Sequence, residues 1–188
     1  MCHAFLTDTN FYRLLFRIDE SIAEEVSARG CDCGGVLHSA RYPRKPRGIR
    51  CALDCNYESR LSFCCSQDGC RRRHTPASVR FLGRKVYLGV IVVLITALNH
   101  GLTEARRRQL IEELDVPLQT LWRWRCWWRE QFVATRCWVA LAGQLIPPID
   151  ADSLPGSLLE RLTGRALSER LVQLLVLISP VTTTLRSI

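Results

Sequence analysis

Two pairs of cysteines about thirty residues apart, each pair beside glycine, limit this chain more than any other feature. Gly30-Cys31-Asp32-Cys33-Gly34-Gly35 opens the stretch, and Phe63-Cys64-Cys65-Ser66-Gln67-Asp68-Gly69-Cys70 closes it. Glycine allows the tight bends that turn two sulfurs toward one point. Two such turns make the cage of a tetrahedral, thiolate-bound ion. The spacing predicts one structural zinc on Cys31, Cys33, Cys65 and Cys70, with folding of residues 30–80 dependent on it. The first turn is Cys-x-Cys and the second Cys-x4-Cys (Cys-x5-Cys if Cys64 is used), both at the edge of the usual range. Cys64, Cys51, Cys55 and His38 therefore stay open as substitutes. The alternative is a set of buried or incidental free thiols. Disulfides are the weaker rival, because the N-terminus carries acidic residues where a secretory signal would be apolar.

The charge gathers on the same stretch. Residues 1–40 carry three basic and six acidic side chains, residues 41–85 twelve and three, and the rest eleven and nine. A local excess of +9 attracts polyanions by releasing their counterions, and nucleic acid is the usual one. A solvated basic surface that binds nothing is the bland alternative. At 188 residues, 47% of them hydrophobic, the chain suffices for one or two small domains with cores. The apolar run Val86–Leu98 falls short of the roughly 20 residues that a membrane span needs. The expected setting is the cytoplasm, where thiols stay reduced.

Asp8-Thr9-Asn10 offers helix caps, and Phe11, Leu14, Leu15, Ile18, Ile22 and Val26 recur at helical spacing up to Gly30. A helix over 10–29 follows, its acidic face (Glu20, Glu24, Glu25) read as solvated. Pro43, Pro46 and Gly48 keep 41–50 irregular, and Arg41, Arg44, Lys45, Arg47 and Arg50 ride on that loop. Tyr57, Leu61 and Phe63 alternate like a strand, and His74 reads as a surface residue ahead of a ligand or a phosphate contact. Phe81–His100 reads as one buried helix, 104–114 as a second, and 118–132 as a third. Leu121, Trp124 and Trp128 share a face of the third, and the five tryptophans within 122–138 read as core and cap. Past Pro147-Pro148, short helices at 157–163 and 167–178 follow a linker. Leu167, Leu171, Leu174, Leu175 and Ile178 either close a core or mediate dimerisation.

Helix, short turn at Asp115-Val116-Pro117, helix: this is a helix-turn-helix pattern, which an ordinary helical hairpin can mimic. Opposite the apolar stripe of 118–132 lie Gln119, Thr120 and Arg123, flanked by Arg125. Gln pairs with adenine and Arg with guanine through two bonds each. The basic side chains Arg44, Lys45, Arg47, Arg71, Arg72 and Arg73 suit phosphate instead. The expected fold is mainly α, with a small zinc ribbon followed by a helix-turn-helix domain. Its segments are an N-terminal helix (1–29), a basic ribbon (30–80), the helix-turn-helix (81–142), and a linker with C-terminal helices (143–188).

Cys31-Asp-Cys-Gly-Gly, Cys65-x4-Cys70 with its trailing arginines, and Leu114-Asp-Val-Pro-Leu-Gln-Thr-Leu-Trp-Arg-Trp-Arg125 occur in that order. Over residues 30–132 this resembles the DNA-binding front end of bacterial insertion-sequence transposases and their accessory proteins. It departs at Asp115, where that family has glycine, and in the shortened first knuckle. The resemblance implies double-stranded DNA as partner, with a separate transposase catalytic subunit or a second copy of the chain as further partners. A carboxylate-triad nuclease core is not expected, because Asp150, Asp152, Glu160 and Glu169 sit in a linker and on amphipathic helices. The expectation is a non-enzymatic accessory or regulatory protein. A transposase fragment whose catalytic part is lost or separately encoded, and an RNA-binding or protein-interaction module, are the alternatives.

Overall fold

A computed structural model describes residues 6–49, 51–83, 85–98, 108, 112 and 115–183. The chain is mainly helical with a few short strands, and it divides into two compact units, Met1–Leu88 with Thr182–Ile188, and Gly89–Val181. The N-terminal helix and the cysteine stretch thus share one unit, and the division falls at 88/89 where the sequence suggested 80/81. No helix among the described residues is long and apolar enough to cross a membrane.

The first unit opens with α1 (Thr9–Arg29), capped by the Asp8 carboxylate, which accepts the Asn10 N–H. Gly30 ends it at φ 74°, a backbone conformation that glycine adopts without strain. Its buried face is Phe11, Tyr12, Leu15, Asp19 and Ala23. That face is rotated from the sequence expectation: Leu14 is half exposed, while Ile18, Ile22 and Val26 are only partly covered. The cause is Asp19, fully buried against Arg80. The Arg80 Nε donates to the Asp19 carboxylate at 2.8 Å, and its two terminal nitrogens donate to the carbonyls of Tyr57 and Ser59. Ser78 Oγ and the Val79 N–H donate to the same carboxylate at 2.6 and 2.7 Å. Phe16, Tyr57 and Phe81 pack their rings over the guanidinium at 4.7–4.9 Å. A buried ion pair is tolerated only when its remaining donors and acceptors are satisfied in this way.

Five short strands follow: β1 (Leu37–Ser39), β2 (Tyr42–Pro43), β3 (Ser59–Arg60), β4 (Phe63–Cys65) and β5 (Arg73–His74). β4 lies between β1 and β5, antiparallel to both, and β2 pairs with β3. Two expectations change here. Tyr42–Pro43 is a strand, and Tyr57 sits in a single 3₁₀ turn, Cys55–Glu58, before β3.

Residues 81–83 and 85–88 are not helical, contrary to the sequence reading of one helix from 81 to 100. Gly83 turns the chain at φ 61°, Phe81 bridges Leu88, and Tyr87 bridges Arg47. Apolarity alone could not separate these two states: Phe81, Leu82, Tyr87 and Leu88 are all buried, but outside any helix. The helix is α2 (Gly89–Leu98), and residues 99 and 100 lie outside the described set.

In the second unit α2 is buried along Val90–Ile95. The helix expected at 104–114 lies outside the described residues, apart from Arg108 and Glu112, which are helical. Asp115 takes φ 49°, so the position where the resembling family has glycine does adopt a left-handed turn. Asp tolerates this conformation better than most residues. Next come α3 (Leu118–Cys126) and a wider π-helical segment, Trp127–Phe132, where the sequence suggested a uniform α-helix. Leu121, Trp124 and Trp128 are buried as expected, and the Trp128 indole donates to Thr96 Oγ1 at 3.1 Å. The π segment brings both Trp128 and Phe132 to zero exposure, their rings edge-on at 4.8 Å. Trp138 on α4 (Arg136–Ala142) adds to this cluster, whereas Trp122 is 65% exposed. After α5 (Gly156–Arg161), α6 (Leu167–Ile178) buries Leu171, Leu174, Leu175 and Ile178, so this face closes the core of its own unit.

Candidate metal centre

The first cysteine turn is built by two backbone hydrogen bonds. The Cys31 N–H donates to the Gly35 carbonyl (3.0 Å), and the Gly34 N–H to that of Cys31 (2.8 Å). Gly34 takes φ 83°. Gly35 is required for a different reason: a Cβ there would stand 2.6 Å from Cys65 Sγ and 2.7 Å from Gln67 Cγ. The second turn leaves β4, with the Cys70 and Arg71 N–H groups both donating to the Gln67 carbonyl at 3.0 Å. The β1–β4 register sets Leu37 opposite Cys65 and packs Cys31, Leu37 and Cys65 together, with Val26, Phe63 and Cys70 against them.

Cys31, Cys33, Cys65 and Cys70 offer sulfurs that all lie within 4.8 Å of one another. Cys31 and Cys70 Sγ are 3.7 Å apart, and Cys33 and Cys65 Sγ 3.4 Å. Metal–sulfur bonds of about 2.3 Å give a tetrahedron with edges of about 3.8 Å. The quartet therefore fits a metal ion with little rearrangement. None of the described cysteines is in a disulfide. The Gln67 N–H, 3.5 Å from Cys65 Sγ, lowers that thiol's pKa, but burial and the neighbouring Cys33, Cys31 and Cys70 outweigh it and push it up to about 12. A thiol must lose its proton to ligate a metal, so metal uptake releases protons and strengthens as pH rises.

Cys64 is excluded by the alternation of the strand: neighbours on β4 face opposite ways. Its Sγ points to the Arg71 and Cys65 carbonyls. His38 is exposed on β1, opposite Cys64, and Cys55 donates to Asp54. Neither these nor Cys51 join the quartet. His74, which the sequence reading ranked first as a surface residue, is partly buried beside the quartet. On β5 its Nε2 comes to 3.2 Å from Cys31 Sγ, close enough to donate a hydrogen bond to a thiolate, although it is not one of the clustered ligand groups. The only cue was its position four residues after Cys70.

We expect Gly35→Ala to lower metal affinity by roughly 10–100-fold, the scale seen when the surroundings of a ligand are disturbed. Competition with a chromophoric chelator measures this directly. Unchanged affinity would mean that the two turns do not close on a common ion.

The basic residues are less free than their number suggests. Arg44 donates to the Gly83 and Lys85 carbonyls (3.2 and 2.9 Å) and lies over the Phe81 ring. Arg71 pairs with Asp68, Arg72 with Asp32 at 2.9 Å, and Arg73 lies over Tyr42. Lys45 and Arg47 are exposed. In the second unit Gln119 and Arg123 are exposed on α3, and Thr120 and Arg125 partly so. The carboxylates set aside as catalytic candidates have local partners. Asp150 caps a turn, Asp152 pairs with Arg129 at 3.1 Å, and Glu169 accepts the Arg165 N–H; Glu160 is exposed on α5. No family model matches the chain, nor does any curated protein or solved structure.

Proposed function

We propose that this chain is a zinc-dependent, duplex-DNA-binding protein: a zinc ribbon followed by a helix-turn-helix, acting as a transposase-related accessory or regulatory factor. The observation that carries the reading is the thiolate quartet, whose second pair, Cys65 and Cys70, lies within the most basic stretch of the sequence. An all-sulfur, tetrahedral donor set suits Zn²⁺ far better than the oxygen-seeking Mg²⁺ or Ca²⁺. Bound there, zinc acts as a structural cross-link that ties α1's C-terminus to β4 and to the arginines after Cys70. The left-handed turn at Asp115 and the exposed Gln119 and Arg123, backed by buried Leu121 and Trp124, support α3 as the helix that reads base edges. The capping and pairing of Asp150, Asp152 and Glu169 support a binding role over a catalytic one.

Selection of binding sites from random duplex DNA, using zinc-loaded protein, tests the reading. Arg123→Ala is expected to weaken the preferred site by roughly 1–3 kcal/mol and to relax the choice at one base pair. Lys45→Ala is expected to weaken all sequences alike. It is a better phosphate probe than Arg44→Ala, because Arg44 also anchors two carbonyls of its own unit. Affinity should fall roughly 10³-fold between 50 and 200 mM salt if six or more phosphates are contacted. Binding that is indifferent to salt, or tighter to structured RNA than to any duplex, would overturn the proposal.

A further inference from the structure

A cleft of about 440 Å³ opens in the first unit beside the thiolate quartet. Its walls include Tyr42, Arg44, Arg60, Arg72, Arg73 and His74, and the sole carboxylate among its described lining residues is that of Asp32. Arg72 pairs with Asp32, which leaves the cations in clear excess.

Arg60 makes this more than a basic surface. It is 4% exposed, its guanidinium donates only to the Ala77 and Pro76 carbonyls, and no carboxylate among the described residues pairs with it. The carboxylate that acts on it electrostatically, Asp19, is already paired with Arg80. A guanidinium carries five N–H donors, so Arg60 and Arg44 both keep donors beyond those their carbonyl partners use. An unpaired buried charge is costly, and burial accordingly lowers the Arg60 pKa. The fold meets that cost at a position that lines an open cleft.

We propose that this cleft is a phosphoryl-binding site, in which Arg60 at the floor and Arg73 and Arg72 at the rim receive a phosphate group. The planar fork of arginine matches phosphate oxygens two at a time. The site is coupled to the metal. His74 lines the cleft and touches Cys31, and Asp32, which orients Arg72, lies between Cys31 and Cys33. Loss of the ion loosens three of the lining residues together. The proposal rests on the nucleic-acid reading only for the source of the phosphate.

The test uses the metal-loaded full chain and inorganic pyrophosphate as the probe, by titration calorimetry. Binding is expected, and it is expected to vanish when the metal is chelated. Arg73→Gln, at an exposed position, should weaken it about tenfold or more, the value of a charge-assisted hydrogen bond. Arg60→Met should abolish it with at most a small change in the thermal midpoint, since the variant removes an uncompensated charge along with the donors to the Pro76 and Ala77 carbonyls. A merely structural Arg60 would instead lower the midpoint and spare the binding of pyrophosphate in the folded fraction. Oligonucleotides then locate the phosphate. Competition by a single strand only when it bears a 5′-phosphate assigns a terminal phosphate, and competition by any strand assigns the backbone. Pyrophosphate binding without competition from nucleic acid would keep the cleft and separate it from the DNA function. Duplex binding that neither pyrophosphate nor Arg73→Gln affects would overturn the cleft and keep the DNA function.

Discussion

Cys65→Ser is expected to abolish metal binding and unfold the first unit, while Cys64→Ser, one residue away, retains both the ion and the fold. Cys65 has no exposed surface and is enclosed by Cys31, Cys33 and Cys70, whereas Cys64 faces outward to a carbonyl. Structural zinc sites supply on the order of 10 kcal/mol or more of folding free energy, and that exceeds what so small a sheet can gain by packing. The two units can be followed separately. All four tyrosines (12, 42, 57 and 87) belong to the first and all five tryptophans to the second. Chelation or Cys65→Ser should erase the near-ultraviolet tyrosine signal and leave tryptophan fluorescence unchanged. One metal per chain in Cys65→Ser and none in Cys64→Ser would show that the register of β4 is wrong.

Arg80→Met is the second large effect. It strands the Asp19 carboxylate at zero exposure with only Ser78 Oγ and the Val79 N–H, and it orphans the Tyr57 and Ser59 carbonyls. Removing one partner of a buried pair costs roughly 3–5 kcal/mol. Total stability is commonly only about 5–15 kcal/mol, so the loss is severe. The double variant Asp19→Leu/Arg80→Met removes both charges and is expected to be more stable than Arg80→Met alone. Urea unfolding of the metal-loaded proteins gives the coupling between the two positions. A loss below about 1 kcal/mol in Arg80→Met would mean that water reaches Asp19 and replaces its partner.

The sequence was most legible where one short stretch determines its own structure. The Asp8 and Gly30 caps bound α1, heptad-like leucines define α6, and glycine-flanked cysteines mark the quartet. It was least legible where distant residues decide. Hydrophobic spacing turns Ile18 and Ile22 inward, yet the helix presents Asp19, because Arg80 sits 61 residues further on and needs it. His74 reads as a surface residue until the β4–β5 pairing carries it to Cys31. Apart from Arg84, Lys85 and Thr96 the run from Phe81 to Leu98 is apolar or glycine, and only Gly83, with the bridge partners of Tyr87 and Leu88, tells its non-helical start from the helix. Arg60 was one arginine among many, and its lack of a carboxylate is visible only in three dimensions.

The Thr182 hydroxyl accepts the Ser78 N–H at 3.0 Å, across 104 positions of chain. During synthesis the four thiols and the Asp19–Arg80 pair have all emerged soon after residue 80, when the second unit does not yet exist. The nascent first unit can therefore take up its ion and set its core early, as domains fold in the order they leave the ribosome. The Ser78 amide must wait for one acceptor until the whole second unit has been made. Metal limitation would thus act on unfinished chains, before α3 and the rest of the second unit have been synthesised.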